Sequence, residues 1–559
     1  MTDFSLDTGA LTSAFQHASA RLTRINFADA LWRARLDVWI DDPAARKSIA
    51  NRLGWLRAID FVTPQVGRLR AFADVVAREG FTDIVLLGMG GSSLAPEVMR
   101  LVLGVAAGYP RFRVLDSVDP DAVRDAMAHA NSSLFVLASK SGSTIEPNTM
   151  AAEAQRRLQA AGVAQWGSHF IAITDEGTAL HKRAQAEGFK EIFVNPSDIG
   201  GRYSALSFFG MVPAALMGVD VEGLLARANR MADACRVADP AANPGLALGA
   251  FMASGALNGR DKLTLLVPGR LESFGLWVEQ LVAESTGKLG KGIVPIAGER
   301  ADAPFTSDRT AVVVTLGNDT PAGIPRITAS GAPSLTISMA DTLSIGAEFL
   351  RWEVATAAAG LLLDINPFDE PNVQQAKDAT KVLLDGYKSS SKLPIPPPDA
   401  TVEGAALTLS AAAKQQLKAA GAARFLSLAR EGDYVGLLAY LPPDEPAMAR
   451  ALDDARAAIG NGCRAATMFG YGPRYLHSTG QLHKGGANNG VFVIVTAAVG
   501  EDLPIPGEPF SFGVLELAQA VGDFQSLDKT GRRALHVHLP RRDAALLQQV
   551  IDALTRSAN

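Results

Sequence analysis

Two stretches of this chain follow one plan: an apolar run, then a loop rich in glycine and serine, then a helical pattern. The first stretch runs from Asp83 to Leu94 and the second from Leu134 to Glu146. Apolar runs that alternate with helices are typical of parallel strands buried on both faces. Glycines let backbone amides approach an anion, and the N-terminus of the following helix attracts negative charge. The two stretches therefore predict an α/β fold with an anion site at the edge of its sheet.

The composition of these two loops narrows the class of ligand. Neither loop has the spacing of a nucleotide-binding loop, because Gly-x-x-x-x-Gly-Lys-Ser/Thr and Gly-x-Gly-x-x-Gly are both absent from them. Their density of Ser and Thr indicates a small phosphate group that hydroxyls and amides hold without a metal. A phosphorylated sugar is the natural candidate.

Length and charge exclude several other classes of protein. A chain of 559 residues predicts two to four domains. Its net charge of −5 has no basic block, which argues against nucleic acid and anionic membranes as partners. The two cysteines, Cys235 and Cys463, form no metal-binding spacing and suit a reducing compartment. With no signal-peptide pattern and no apolar stretch long enough for a bilayer, we expect a cytoplasmic protein.

The order of apolar runs predicts three α/β units. Residues 1–80 are predicted to be a helical segment, followed by a first doubly wound parallel-sheet domain over 81–240 with strands near 83–87, 112–115, 134–138, 169–173 and 191–194. A second such domain over 241–388 has strands near 263–267, 311–315 and 334–338 and a helix near 345–362. A Pro/Ser-rich linker over 389–400 leads to a smaller α/β module over 401–559, with strands near 435–441, 465–469, 490–496 and 534–539.

Five motifs in one order give this chain a resemblance to a known family. They are Gly88-Met89-Gly90-Gly91-Ser92, Ser139-Lys140-Ser141-Gly142-Ser143-Thr144, Gly200-Gly201-Arg202-Tyr203-Ser204, Glu284-Ser285-Thr286-Gly287-Lys288, and Asp364-Ile365-Asn366-Pro367-Phe368-Asp369 continuing to Lys377. In order and content they resemble the phosphoglucose isomerase family over residues 80–380. With its third module, the chain is most similar to the isomerase half of bacterial transaldolase–isomerase fusions. The resemblance implies two sugar-isomerase-type domains and aldose–ketose isomerisation of glucose 6-phosphate and fructose 6-phosphate, without a cofactor or metal and in a homodimer.

The resemblance also implies site residues. Glu284 would be the base that moves a proton between C2 and C1, Arg202 the cation beside the enediolate, and Lys377 a group that assists ring opening. Substrate-binding positions would be Gly91, Ser92, Ser139, Ser141, Thr144 and Gly201, together with Gln280, which a helix places on the same face as Glu284. The structural alternatives are a surface pair of Glu284 with Lys288, an ordinary exposed arginine or lysine, and hydroxyls that cap helices.

Histidine marks a departure from the family, whose members place a ring-opening histidine between the catalytic glutamate and the lysine. None of the eight histidines lies between Glu284 and Lys377. The third module offers His477 and His483 in a loop rich in glycine and hydroxyl groups, and we expect one of them to reach the sugar, from the same subunit or across a dimer. The alternative is a structural loop.

Three other functions stay open from the sequence. The first is isomerisation of another hexose phosphate or of a 6-sulfonated hexose, because a sulfonate is also a tetrahedral anion. The second is a sensor that binds a sugar phosphate without turnover, although Glu284, Arg202 and Lys377 are all present. The third is a second activity in residues 400–559, for which no motif names a reaction.

Overall fold

The computed structural model describes residues 3–39 and 41–558 and shows a mixed α/β protein with three mostly parallel sheets. The first sheet is wholly parallel and has the strand order β3-β2-β4-β5-β6. Its strands are β2 (Asp83–Leu87), β3 (Arg111–Leu115), β4 (Ser133–Ala138), β5 (Phe170–Asp175) and β6 (Glu191–Asn195). Every residue of β2, β4 and β5 is buried, as the apolar runs predicted.

The second sheet has the order β1-β10-β9-β7-β8. Its parallel strands are β7 (Lys262–Leu266), β8 (Val294–Ile296), β9 (Arg309–Leu316) and β10 (Ser334–Met339), and β1 (Asp3–Asp7) adds to one edge antiparallel to β10. The expectation that residues 1–80 are helical is therefore wrong for β1, a short edge strand with no apolar run. Strand β8 was not predicted either, because it contains a proline, which argues against a strand. Its position at the edge of the sheet tolerates that proline.

The third sheet has the order β11-β12-β16-β15-β13-β14. Its strands are β11 (Ala400–Val402), β12 (Ala405–Leu409), β13 (Tyr434–Tyr440), β14 (Ala466–Tyr471), β15 (Gly490–Ala497) and β16 (Arg533–Leu539). The four predicted strands form its parallel part, and the unpredicted strands β11 and β12 extend it antiparallel beyond β16. The prediction of a third α/β module is thus confirmed.

Helices cover both faces of these sheets. Those that precede β7 are α1 (Thr12–Arg24), α2 (Phe27–Trp32), α3 (Pro43–Ala50), α4 (Ala58–Val62), α5 (Val66–Arg78), α6 (Leu94–Leu103), α7 (Pro120–Ala126), α8 (Ile145–Ala160), α9 (Ala179–Ala186), α10 (Phe208–Leu216), α11 (Val221–Ala234) and α12 (Pro244–Leu257). Those that follow are α13 (Phe274–Thr286), α14 (Ile324–Ser330), α15 (Ile345–Leu362), α16 (Val373–Ser390), α17 (Ala411–Leu417), α18 (Pro446–Cys463), α19 (Gly480–Gly485), α20 (Phe512–Lys529) and α21 (Ala544–Ala558).

All residues of helix α15 are buried. Its bounds agree with the predicted helix near 345–362. Residues 203–236 contain two helices, α10 and α11, separated at Gly218, which has a φ of +70° and where a Cβ would lie 2.5 Å from the ring of Tyr109. Among the described residues, no helix combines the length and apolarity needed to cross a bilayer.

The C-terminal module packs directly against both preceding α/β domains. Arg474 donates two hydrogen bonds to the carboxylate of Asp116, at 2.8 and 2.7 Å. Arg456 donates to the backbone oxygen of Ala297 at 2.7 Å, and a shared apolar cluster joins Val294 and Ile296 to residues of the third sheet. These contacts bring the loop that follows β14 to the carboxyl ends of β2 and β4.

Candidate active site

A cleft of about 390 Å³ lies at the carboxyl ends of β2 and β4 and will be called the main cleft. Its lining includes eleven of the residues predicted from the sequence: Gly91, Ser92, Ser139, Ser141, Thr144, Gly201, Arg202, Gln280, Glu284, Lys377 and His477. Two glycines make the arrangement possible. Gly90 has a φ of +54° and a Cβ there would lie 2.6 Å from the backbone oxygen of His477, while a Cβ on Gly91 would lie 2.0 Å from that of Gly201.

The hydroxyl-rich loop after β4 forms one wall of the main cleft. The Ser139 hydroxyl accepts a hydrogen bond from the amide of Gly142 at 3.1 Å and lies 3.3 Å from the Thr144 hydroxyl. Thr144 precedes α8 but its side chain makes no capping hydrogen bond, so no side-chain cap from Thr144 occupies the first amides of that helix. Lys140 is bound to the carboxylate of Asp175 and to the backbone oxygen of Ser197. The loop therefore offers hydroxyls and a helix N-terminus to an anion.

Glu284 lies in the last turn of α13 and faces the main cleft with only 8% of its surface exposed. Gln280, one turn earlier, donates from Nε2 to Glu284 Oε2 at 3.3 Å. Burial raises the pKa of Glu284 to about 7, and Arg202 partly opposes that rise. A carboxyl with this pKa exchanges a proton near neutral pH, as a general base must. The alternative of a surface pair with Lys288 is wrong, since both side chains are buried.

Arg202 is fixed beside Glu284 by a set of acceptors. Its Nη1 lies 3.4 Å from Glu284 Oε1 and 3.0 Å from Glu370 Oε2. Its Nε donates to the hydroxyl of Ser285 at 2.8 Å, and its Nη2 donates to the backbone oxygens of Pro367 and Asp369, both at 2.9 Å. The guanidinium is therefore a rigid, permanent positive charge against the candidate base.

His477 comes from the loop after β14, in the C-terminal module of the same chain. Its Nε2 lies 2.9 Å from Glu146 Oε1, and its backbone oxygen accepts from Gln280 Nε2 at 2.7 Å. Gln519 of α20 donates to the same Glu146 oxygen at 2.7 Å. Burial would raise the pKa of Glu146, but His477 and the hydrogen bonds outweigh it and hold that pKa below its usual value. Glu146 is thus an ionised partner that orients the imidazole.

His483 does not line the main cleft. Only 1% of its surface is exposed, and its ring packs in the C-terminal module 4.9 Å from that of Phe492 and 6.0 Å from that of Tyr475, centroid to centroid. Burial holds the pKa of His483 well below its usual value. Helix α19 turns this side chain inward, so the two histidines of the loop differ and only His477 faces the cleft.

Lys377 is an exposed residue of α16 that lines the main cleft and also a neighbouring cavity of about 430 Å³. No group of three or more His, Cys, Asp or Glu side chains is arranged to hold a metal ion within residues 3–39 and 41–558.

Several residues that build this site received no role in the sequence analysis. Glu146 stands at the end of the second glycine/serine loop and Glu370 directly follows the Asp364–Asp369 motif, so nearness to a motif was the available signal. Lys288, tied to Asp369 at 2.7 Å and to the backbone oxygen of Asn366 at 2.8 Å, belongs to the glutamate motif. Gln519 lies in no motif, and nothing in the sequence pointed to it.

The sequence and the fold of this chain are similar to those of known proteins. The family model described as phosphoglucose isomerase matches residues 72–303. Glucose-6-phosphate isomerases of Synechococcus sp. and Parasynechococcus marenigrum are 31% and 32% identical to the chain, each over 55% of it. The match covers 66% and 63% of these two relatives, so the chain spans slightly less than two thirds of their length.

Two solved structures share the fold. A hypothetical protein from Thermus thermophilus superimposes with a TM-score of 0.57 at 23% identity, over 68% of this chain and 99% of that protein. A glucose-6-phosphate isomerase from Chlamydia trachomatis gives a TM-score of 0.55 at 18% identity, over 70% of this chain and 89% of that one. The chain is thus similar to the phosphoglucose isomerase family over residues 72–303, which carry four of the five motifs gathered around the main cleft.

Proposed function

We propose that this chain interconverts glucose 6-phosphate and fructose 6-phosphate through a cis-enediol, without a cofactor. The observation that carries the proposal is the buried Glu284 carboxyl, with a pKa of about 7, held beside the fixed charge of Arg202 in the main cleft. Isomerisation needs one carboxylate that takes a proton from C2 and returns it to C1. The choice of sugar follows from the similarity to glucose-6-phosphate isomerases.

The phosphate is assigned to the hydroxyl-rich wall of the main cleft. Ser92, Ser139, Ser141 and Thr144 supply hydroxyl donors, and Gly91 and Gly201 bring backbone to the same cleft wall. The uncapped start of α8 contributes its partial positive charge. This anchoring fixes C1 and C2 at the end of the cleft where Glu284 lies.

Ring opening is assigned to Lys377 and His477. The imidazole of His477 exchanges a proton with the ring oxygen or the anomeric hydroxyl, and Glu146 keeps its other proton in place. The histidine that the family places between the glutamate and the lysine is here replaced by one from the C-terminal module of the same chain. The main cleft would then be complete within one subunit.

Proton transfer follows in the opened sugar. Glu284 Oε removes the C2 proton of the aldose, and the electron pair moves into the C1–C2 bond while the carbonyl oxygen gains negative charge. Arg202 stabilises that oxygen electrostatically, and its charge stays fixed because a guanidinium does not give up its proton. Return of the proton to C1, together with transfer of the C2 hydroxyl proton to the C1 oxygen, yields the ketose. Gln280 holds Glu284 Oε2, so that its other oxygen faces the cleft.

The proposal also includes the compartment and the oligomeric state of the protein. We expect the protein to act in the cytoplasm as a homodimer, as members of the family do. Sedimentation of the purified protein measures the second point directly.

The test is the steady-state rate of purified protein on fructose 6-phosphate in the presence of EDTA, with glucose 6-phosphate as the detected product. Glu284→Gln is expected to lower kcat by about 10²- to 10⁴-fold, the usual contribution of a general base. The matched control is Glu272→Gln, an exposed carboxyl just before α13. Absence of turnover by folded wild-type protein, or full activity in Glu284→Gln, would overturn the proposal.

A further inference from the structure

A cavity of about 580 Å³ lies between the second α/β domain and the C-terminal module and will be called the interdomain cavity. Its walls come from the loop after β7, the start of α13 and the loop after β8, and from α18 and β14 of the C-terminal module. It shares no residue with the main cleft. Its volume is typical of small-molecule sites, which form preferentially at domain interfaces.

Arg456 of α18 presents part of its guanidinium to the interdomain cavity. Its Nε donates to the Thr467 hydroxyl at 3.1 Å, and its Nη2 donates to the backbone oxygens of Thr467 and Ala297 at 2.5 and 2.7 Å. Its Nη1 has no acceptor in the described part of the chain, yet this nitrogen keeps accessible surface. Because Arg456 lines the cavity and is otherwise buried, Nη1 faces the cavity with two N–H donors.

Glu279 of α13 faces the same cavity from the second domain. Its Oε1 accepts from the amide of Ala297 at 3.1 Å, the residue whose backbone oxygen binds Arg456, so the two side chains converge on one wall. Its Oε2 has no partner among the described residues and also keeps accessible surface. Burial raises the pKa of Glu279 to about 8, so the carboxyl is mostly protonated at pH 7. Since Oε1 accepts from an amide, the proton belongs on Oε2, which is then a donor.

The positive charge of Arg456 is not consumed by a carboxylate of the protein. Two carboxylates attract it without forming an ion pair with it, those of Glu299 and Asp453. Glu299 is instead paired with Arg309 at 2.5 Å, and Asp453 is paired with Arg300 at 2.6 Å. A guanidinium nitrogen and a protonated carboxyl therefore direct donors into one space, which favours an anion.

The rest of the lining determines what the anion carries. Arg270 and Glu272 are exposed, and their opposite charges offset each other. Leu101, Leu276 and Phe469 line the cavity with apolar side chains. A ligand with an apolar body and one anionic end matches this division of the surface.

We propose that the interdomain cavity binds a small organic acid whose carboxylate accepts from Arg456 Nη1 and Glu279 Oε2 while its apolar body packs on Leu276 and Phe469. A carboxylate has two oxygens and no donor, so it can accept from both groups at once. Helix α13 separates this site from the main cleft, because Gln280 and Glu284 face the cleft while Glu279 faces the cavity. The site is independent of the proposed isomerase reaction.

The experiment is calorimetric titration of the full-length protein with 3-phenylpropanoate at pH 7. Saturable binding at one site per chain is expected. The neutral alcohol 3-phenylpropan-1-ol and the cation 3-phenylpropylamine have the same apolar body, and each should bind at least about tenfold more weakly because it lacks the charge-assisted hydrogen bonds. Saturating fructose 6-phosphate should not displace the acid.

Four variants locate the binding site. Arg456→Gln removes the charge and should weaken 3-phenylpropanoate at least about tenfold. Ala449→Phe should have the same effect, because it fills the cavity from a half-buried position of α18 and leaves both donors in place. Glu279→Gln keeps a donor at this position and should bind like wild type. The control is Arg450→Gln, an exposed arginine of the same helix outside the lining, which should also bind like wild type.

Several results would overturn the proposal. It fails if folded wild-type protein shows no saturable binding, or if the alcohol or the amine binds as tightly as the acid. It also fails if Ala449→Phe or folded Arg456→Gln retains wild-type affinity, or if Glu279→Gln loses binding. Displacement of the acid by fructose 6-phosphate would place it in the main cleft instead. Because the readout is binding, these results stand apart from any result on sugar turnover.

Discussion

Glu370 should set the pH at which this protein begins to work, although it is not itself a base in the proposed reaction. Its carboxylate and that of Glu284 lie 3.0 and 3.4 Å from the same nitrogen of Arg202, so the two oxygens are at most about 6.4 Å apart. The negative charge of Glu370 raises the pKa of Glu284. Glu370→Gln removes that charge with little change in shape, so the pKa of Glu284 should fall.

The magnitude follows from Coulomb's law. Two unit charges about 6.4 Å apart interact by about 2.6 kcal/mol at an effective dielectric constant of about 20. One pKa unit is about 1.4 kcal/mol, so this interaction corresponds to about two units before solvent screening is taken into account. The Glu370 side chain is 40% exposed, and solvent screening reduces this to about one unit. The acid limb of kcat/KM, near pH 7 in the wild type because Glu284 must be ionised to accept a proton, should move about one pH unit lower.

The assay is kcat/KM for fructose 6-phosphate between pH 5 and pH 9, normalised to the plateau of each protein. At pH 6 the variant should retain roughly five times the wild-type fraction of its plateau, as the ionised fraction of a base rises from about a tenth to about a half. The phosphate of the substrate also ionises near pH 6, but it does so equally for every protein compared. Glu176→Gln, an exposed carboxyl outside the cleft lining, is the control. An acid limb in Glu370→Gln that stays in place or moves to higher pH refutes the assignment of Glu284 as the titrating base.

Three further perturbations test other parts of the site and the fold. His477→Gln should lower turnover of fructose 6-phosphate about 10²-fold yet leave the isomerisation of a tetrose 4-phosphate, which cannot close a ring, nearly unchanged; equal losses on both substrates would contradict a role in ring opening. Ser139→Ala should raise KM for the sugar phosphate about tenfold with kcat preserved, because it removes about 1–1.5 kcal/mol of uniform binding; a fall in kcat alone would place the hydroxyl elsewhere in the mechanism. Burial raises the pKa of Glu279 to about 8. Between about pH 4.5 and pH 8 this carboxyl therefore keeps its proton in the folded state and loses it in the unfolded state. The free energy of unfolding consequently falls as the pH rises through this range. The difference in free energy of unfolding between Glu279→Gln and the wild type should therefore shift by roughly 3 kcal/mol in favour of the variant between pH 5 and pH 8, measured as a growing difference in Tm. A difference in Tm that does not change with pH would show that this carboxyl is ionised when buried.

Much of the fold was predictable because buried parallel strands can be recognised from short stretches of sequence. Each needs an uninterrupted apolar run, and the runs at 83–87, 134–138 and 490–496 correspond to β2, β4 and β15. Edge strands do not need an apolar run and so cannot be recognised in this way. Strand β1 alternates exposed and half-buried residues over five positions, and its pairing with β10 is a contact between residues more than 300 positions apart.

The residues of the candidate site likewise differ in whether neighbouring residues or distant ones fix their positions. A feature fixed by local geometry, such as Glu284 one turn after Gln280, could be recognised from the sequence because the constraint lies within a few residues. Gln519 donates to Glu146 across 373 positions of sequence, and His477 reaches the same carboxylate across 331. No local pattern specifies such pairs.

The sequence by itself therefore determined that this is an α/β protein, and it predicted a phosphate-binding edge with a carboxylate, an arginine and a lysine of one family's pattern. Only the tertiary structure decided between His477 and His483, which are six residues apart. The ring of His477 lies beside Glu146, whereas the ring of His483 packs against Phe492 in an apolar core. The tertiary structure also decided the proton affinity of Glu284. A pKa depends on burial and on charges brought together by packing, and neither burial nor packing is written in the order of neighbouring residues.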